Sequence, residues 1–208
     1  MLRGLVALVL AGIVAGCAGG MTRADCEAAD WSALGFADGR EGAPEKVSVK
    51  RFSACEGAAV DRAVYASARA EGHAAYCTSA GGFDAGRLGQ EYHEVCAPAQ
   101  EPEFLAGYAD GEKLHALVLA EREAERARKS ALDALDQHAF LLKAVDKRAA
   151  SSTIDNEGRE SARQEAASRR RDIARLEQNL PKMEAAIATA RAEREAFEAT
   201  LRASGRIF

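Results

Sequence analysis

Glycine recurs in the first half of this chain at a spacing that a helix makes meaningful. An aromatic residue is followed by one glycine and then, three or four residues on, by a second. The motif reads Trp31–Gly35–Gly39, Phe83–Gly86–Gly89 and Phe104–Gly107–Gly111, with a partial copy from Tyr65 to Gly72. Spacings of three and four place the ring and the glycines on one helix face. Glycine inside a helix costs about 1 kcal/mol relative to alanine, so its recurrence there points to close approach. Either another helix backbone or an aromatic ring would fill the space; glycine-lined ligand contacts are the alternative. Residues 26–112 are therefore expected to form a small bundle of short, closely packed helices.

Cysteine usage supports the same domain. Four cysteines, Cys26, Cys55, Cys77 and Cys96, fall within about 70 residues, and the last 112 residues contain none. An even count in a small exported domain reads as two disulfides. Four cysteines allow three connectivities, and sequence alone does not choose among them. Cys26–Cys55 with Cys77–Cys96 is the expected set, because both bridges close local loops.

The start of the chain indicates export. Arg3 is followed by an apolar run from Gly4 to Gly16 and then by Val14-Ala15-Gly16-Cys17. A basic start, an apolar stretch and small residues before a cleavage site describe a secretory signal peptide. The run is short of the ~20 residues a membrane span requires. With Cys17 directly after the small residues, the segment resembles the bacterial lipobox, in which the signal is cut before the cysteine and the thiol takes a lipid. Residues 1–16 are then the signal and 17–25 a linker from the anchor. The formal charge of −4 gives no footprint for nucleic acid.

From residue 113 the composition changes to Ala, Glu, Arg, Leu and Lys, which favours long helices. Ile173, Leu176, Leu180, Met183, Ile187, Ala190, Arg194, Phe197 and Leu201 alternate spacings of three and four. That is a coiled-coil seam with one polar interruption, Arg194. Upstream, Leu114, Leu117 and Val118 start a stripe that Leu132, Leu135, Leu142 and Val145 resume. Glu121, Glu125 and Arg128 fill the gap, where packing is expected to be loose. A Ser/Thr/Asp/Asn/Gly cluster at 151–158 reads as a turn, with Asp155 or Asn156 capping the returning helix. Residues 113–203 thus form an antiparallel coiled-coil hairpin, leaving 204–208 as a tail. An intermolecular coiled coil is the alternative. Pro181 is expected to kink the second arm.

Catalytic signals are absent from the sequence: there is no G-x-S-x-G, P-loop or H-E-x-x-H pattern. Asp30, Asp38, Asp61 and Asp84 read as helix caps or exposed charges. His73, Cys77, His93 and Cys96 have ligand types and spacings compatible with a metal or redox site, the least favoured reading. A ligand pocket among Trp31, Phe83, Tyr92 and Phe104 is another, although those residues are expected to be core. Arg169-Arg170-Arg171 is a basic cluster, read as a solvated face.

Several of these pieces occur together in one order. They are Cys26-Glu-Ala-Ala-Asp30-Trp31, Gly35, Asp38-Gly39-Arg-Glu-Gly42, Tyr65, Gly72, Tyr76-Cys77-Thr78, Gly82-Phe83-Asp-Ala-Gly86-Arg-Leu-Gly89, Tyr92, Val95-Cys96 and Phe104-Leu-Ala-Gly107-Tyr108-Ala-Asp-Gly111. The set resembles a bacterial envelope lipoprotein family, domain of unknown function 2799, over residues 26 to about 115. It departs from that pattern at Ala66-Ser67-Ala68, where a glycine is expected. The resemblance implies an envelope lipoprotein and supplies no activity and no catalytic residue. With Ala18 after the cysteine, it also implies the outer membrane, facing the periplasm. The expected protein is all-α, anchored by lipid on Cys17, without cofactor or catalysis. Its expected role is structural or adaptor, with an envelope protein partner contacted through Ile173, Leu176, Leu180, Met183, Ile187, Phe197 and Leu201.

Overall fold

The computed structural model describes residues 21–205; the lipobox and Cys17 lie outside them, as do residues 206–208. The described residues form seven helices and no strand, the all-α fold expected. The chain divides into two compact units, one ending at Ala75 and one starting at Tyr76. The composition shift at residue 112 does not mark that division, because it falls inside the long helix α6 (Glu101–Ala149).

Short polar side chains set where the helices begin. Thr22 and Asp25 cap each other at α1 (Arg23–Ala28). Asp30 accepts from the Ala33 N–H at the start of α2 (Trp31–Arg40), and Pro44 precedes α3 (Glu45–Ala54). Asp61 accepts from the Val64 N–H at the start of α4 (Arg62–Tyr76), and Thr78 does the same for Gly81 in α5 (Ser79–Arg87). Each such cap satisfies an otherwise unpaired helix donor, worth about 1 kcal/mol.

In the first unit the glycines bring two helices into backbone contact. Gly35 faces the Tyr65 carbonyl, Gly39 faces Arg69 and His73, and Gly72 faces Phe36, Gly39 and Arg40. Residue numbers rise together across this contact, so α2 and α4 run parallel, and α3 makes the return between them. A Cβ on Gly39 would stand 2.9 Å from the His73 nitrogen, closer than atoms pack. Trp31, Tyr65, Cys26 and Cys55 form the buried cluster beside this contact, and the Cys26–Cys55 disulfide closes it.

The second unit repeats the device. Gly82 and Gly86 of α5 meet Gly107 and Gly111 of α6, again with numbers rising together. The Phe83 copy is thereby corrected: the working pair is Gly82 with Gly86, four apart, and not Gly86 with Gly89. Gly89 has φ +68° just past the end of α5, a left-handed conformation that favours glycine. Tyr76, Cys77, Ala85, Cys96 and Phe104 are the buried cluster here, stapled by Cys77–Cys96. At the position matching Gly107, α4 carries Ala68, buried at 6 % exposure. The departure at 66–68 therefore leaves one methyl inside the first helix pair.

Beyond Gly111, α6 continues to Ala149 and returns as α7 (Asn156–Ala203), packed along it. The turn is where the sequence placed it. Asp155 is the cap, accepting from the Gly158 N–H at 2.8 Å. Helices of 49 and 48 residues reach about 70 Å at 1.5 Å per residue. α7 runs through Pro181 as one helix.

Candidate functional site

The hairpin seam consists of the residues singled out as partner contacts. Ile173, Leu176, Leu180, Met183, Ile187 and Phe197 are half-buried and Leu201 is buried, on the helix that packs against α6. Phe197 lies under Lys113, whose Nζ stands 4.4 Å from the ring centroid. The seam is therefore occupied by the chain's own other arm. Val145, Ala162 and Ala166 form a separate small core near the tip.

The polar interruptions of the two stripes meet. Glu121, in the gap of the α6 stripe, accepts from Arg194 Nε at 2.7 Å and from Arg191 Nε at 2.8 Å. Arg194, the break in the α7 stripe, also donates to Glu198 at 2.8 Å. Only 9 % of Glu121 is exposed. Bonds from Arg191 and Arg194 hold its carboxyl below the ordinary carboxylate range. A polar residue matched to a polar residue at a seam position selects register, since any slip would oppose a charge with an apolar neighbour. The packing expected to be loose is open: a groove of about 470 Å³ is lined by Glu125, Arg128, Glu184, Ile187 and Arg191. Arg128 bridges it to Glu184 at 3.2 Å.

The basic cluster is largely consumed by the hairpin. Arg169 pairs with Glu165 at 2.7 Å and Arg170 with Asp146 at 2.6 Å, while Arg171 is exposed.

The first unit holds a polar group that sequence reading placed wrongly. Asp38 is neither an N-cap nor exposed; it is 3 % exposed in the last turn of α2. Tyr65 Oη donates to its Oδ2 at 2.6 Å, Arg51 Nε donates to the same oxygen at 2.7 Å, and Arg51 Nη2 donates to Oδ1 at 2.8 Å. Burial, then the bond to Asp38, pushes the Tyr65 phenol well above its ordinary value. The residue before Gly39 is Asp38, whereas the residue before Gly86 is Ala85. Likewise Tyr65 stands three before Ala68, and Phe104 three before Gly107. The same helix-pair geometry thus carries a polar core in one unit and an apolar core in the other. The available signal was Asp38 lying one residue from a packed glycine.

These positions bear on two of the alternatives. Cys77 and Cys96 are bonded to each other, which removes their thiolates as metal ligands. Among the described residues, no group of three or more His, Cys, Asp or Glu is arranged to hold a metal. Of the aromatic residues considered for a ligand pocket, Trp31, Phe83 and Phe104 are buried as core. His115 Nδ1 lies 2.9 Å from the Arg87 carbonyl oxygen, and the His138 Nδ1 is buried on α6.

Residues 30–113 match the family described as Protein of unknown function (DUF2799). No curated protein matches the chain, and no solved structure does.

Proposed function

We propose that this protein is a lipid-anchored component of the bacterial cell envelope, held at the outer membrane through Cys17 and facing the periplasm. Its role is structural or adaptor, with no catalysis of its own. The observation that carries the adaptor reading is the hairpin: about 70 Å of paired helix whose polar and apolar seam positions are matched within one chain. Such an element is a preformed rod, and ordering it on contact with a partner carries little entropic cost. The Cys17 pattern and two disulfides are consistent with an exported, oxidising location. Because Ile173 to Leu201 are turned onto α6, an envelope protein partner would meet the outward faces of the arms. Phe140, 73 % exposed, and Leu119 stand there.

Two experiments test this reading. Cys17→Ser should move the protein from the membrane fraction to the soluble periplasmic fraction; retention in the membrane would refute the anchor. Photo-crosslinkers at Leu119 and Phe140 should capture one discrete envelope protein in living cells. A smear at those positions, matching that from α7 seam positions, would refute the adaptor role.

A further inference from the structure

A cleft of about 300 Å³ lies between α3 and α4 of the first unit. From α3 it is lined by Glu45, Ser48 and Phe52; from α4 by Arg62, Tyr65, Arg69 and His73. The α4 contributors are spaced by three and four, so one helix face presents two guanidiniums and an imidazole. With Glu45 as the single carboxylate, the lining carries two positive charges and one negative, a net +1 before His73 is protonated.

The donors in this cleft are incompletely used. Arg69 Nη2 donates to the Ala43 carbonyl at 2.6 Å, which fixes the side chain in place. Arg69 Nε and His73 Nε2 are buried and have no hydrogen-bond partner within the protein. Arg69 Nε is a buried donor left unsatisfied, which is costly and rare; His73 Nε2, four residues on along the same helix face, is a second donor in the tautomer that carries its proton there, and one acceptor would serve both. Arg62 stands at the mouth with its guanidinium 5.0 Å over the Phe52 ring. The second helix pair provides a comparison. Counted from its glycines, the positions of Arg62, Arg69 and His73 are held by Glu101, Tyr108 and Glu112. The basic row is therefore not required by the packing of such a pair.

We propose that this cleft binds a phosphoryl group, with Arg69 and His73 donating to its oxygens and Arg62 closing the mouth. A dianion suits a lining of net positive charge better than a single carboxylate does, and guanidinium groups match phosphate oxygens geometrically. Phe52 and Tyr65 supply the apolar wall against which the rest of a small ligand would lie. This inference is independent of the adaptor role.

The test uses the full chain in detergent, with its four histidines observed by ring NMR and His73 assigned through His73→Gln. Inorganic phosphate is titrated at neutral pH against sodium chloride of equal ionic strength. The His73 resonances should shift saturably, and Arg69→Gln should weaken binding about tenfold or more. Arg62→Gln, at an exposed position, should weaken it about threefold without unfolding the unit, which covers the case in which Arg69→Gln destabilises α4. A second arm adds phosphatidic acid to the same micelles, against phosphatidylcholine alone. Displacement of phosphate by phosphatidic acid assigns the site to a lipid headgroup; no displacement assigns it to a soluble phosphate compound. His73 resonances unmoved at ~20 mM phosphate, well above a millimolar Kd, would overturn the proposal. So would a shift of equal size in both arginine variants.

Discussion

Gly86→Ala should destabilise the second unit, although helix propensity alone predicts the opposite. An ideal Cβ on Gly86 would stand 2.7 Å from the Glu112 nitrogen and 3.0 Å from the Gly111 carbonyl carbon. The Tyr108 carbonyl oxygen would stand closer still; with comfortable contacts at about 3.5–4.0 Å, α5 and α6 must separate by about 1 Å to admit the methyl. The obstacle is backbone on a long helix, which no rotamer change relieves. The cost therefore lies near the upper end of overpacking penalties, about 3 kcal/mol. Replacing a helical glycine by alanine returns about 1 kcal/mol, leaving a net loss of about 2 kcal/mol. In a unit of this size that lowers Tm by roughly 8 °C, readable by thermal circular dichroism with the disulfides intact. Gly111→Ala should behave alike, because each glycine's methyl would strike the other's backbone. Once either methyl has pushed the helices apart the second costs less, so the double variant should lose less than the sum of the singles. An unchanged or raised Tm in either single variant would refute the close-packing account and leave propensity as the controlling effect.

Three further outcomes are expected of the disulfides, Asp38 and the hairpin carboxylates. Loops of 29 and 19 residues make each disulfide worth about 3.5 kcal/mol by restriction of the unfolded chain; Cys77→Ser/Cys96→Ser should lower the denaturant midpoint of the second unit, and an unchanged midpoint would contradict the pairing. Asp38→Ala leaves the Arg51 guanidinium without its buried partner and should cost the first unit about 3 kcal/mol, seen as early loss of protease resistance. In the hairpin, Glu121 and Glu165 have folded carboxyl pKa values depressed by their arginine bonds. Their stabilisation is complete above the unfolded value, near 4.5, and is lost as pH falls through the lower folded value. Acid titration of the hairpin should therefore show a drop in Tm below that pH, diminished in Glu121→Gln; equal acid sensitivity in the variant would count against the pair.

The parts of the fold legible from sequence are those governed by local periodicity. The seam from Ile173 to Leu201 and the turn at 151–158 follow from spacing and cap chemistry, which involve neighbours within one or two turns. The glycine motif signalled close approach for the same reason. Which glycines pair was harder, since spacing alone does not tell a glycine packed under a second helix, Gly82, from one that ends the helix in a left-handed conformation, Gly89. Asp38 was misplaced because an aspartate in a short helix usually faces water, and its partners Arg51 and Tyr65 are 13 and 27 residues away. The same long range hid the match of Glu121 with Arg194. Each looked like a defect in its own stripe, and only the antiparallel register makes one the complement of the other. The cleft of Arg69 and His73 was invisible for a further reason: its other wall is α3, and nothing in α3 announces which face it turns to α4.

The central claim is of a lipid-anchored chain whose four downstream cysteines are all paired, and intact mass tests it most directly. The protein is extracted from membranes and alkylated, once as isolated and once after reduction. The account predicts a mass starting at Cys17 with added acyl chains, no alkylation before reduction, and four alkyl groups after it. A chain retaining Met1, or one lacking lipid, would contradict the anchor; alkylation of Cys77 and Cys96 without reduction would contradict the stapled fold.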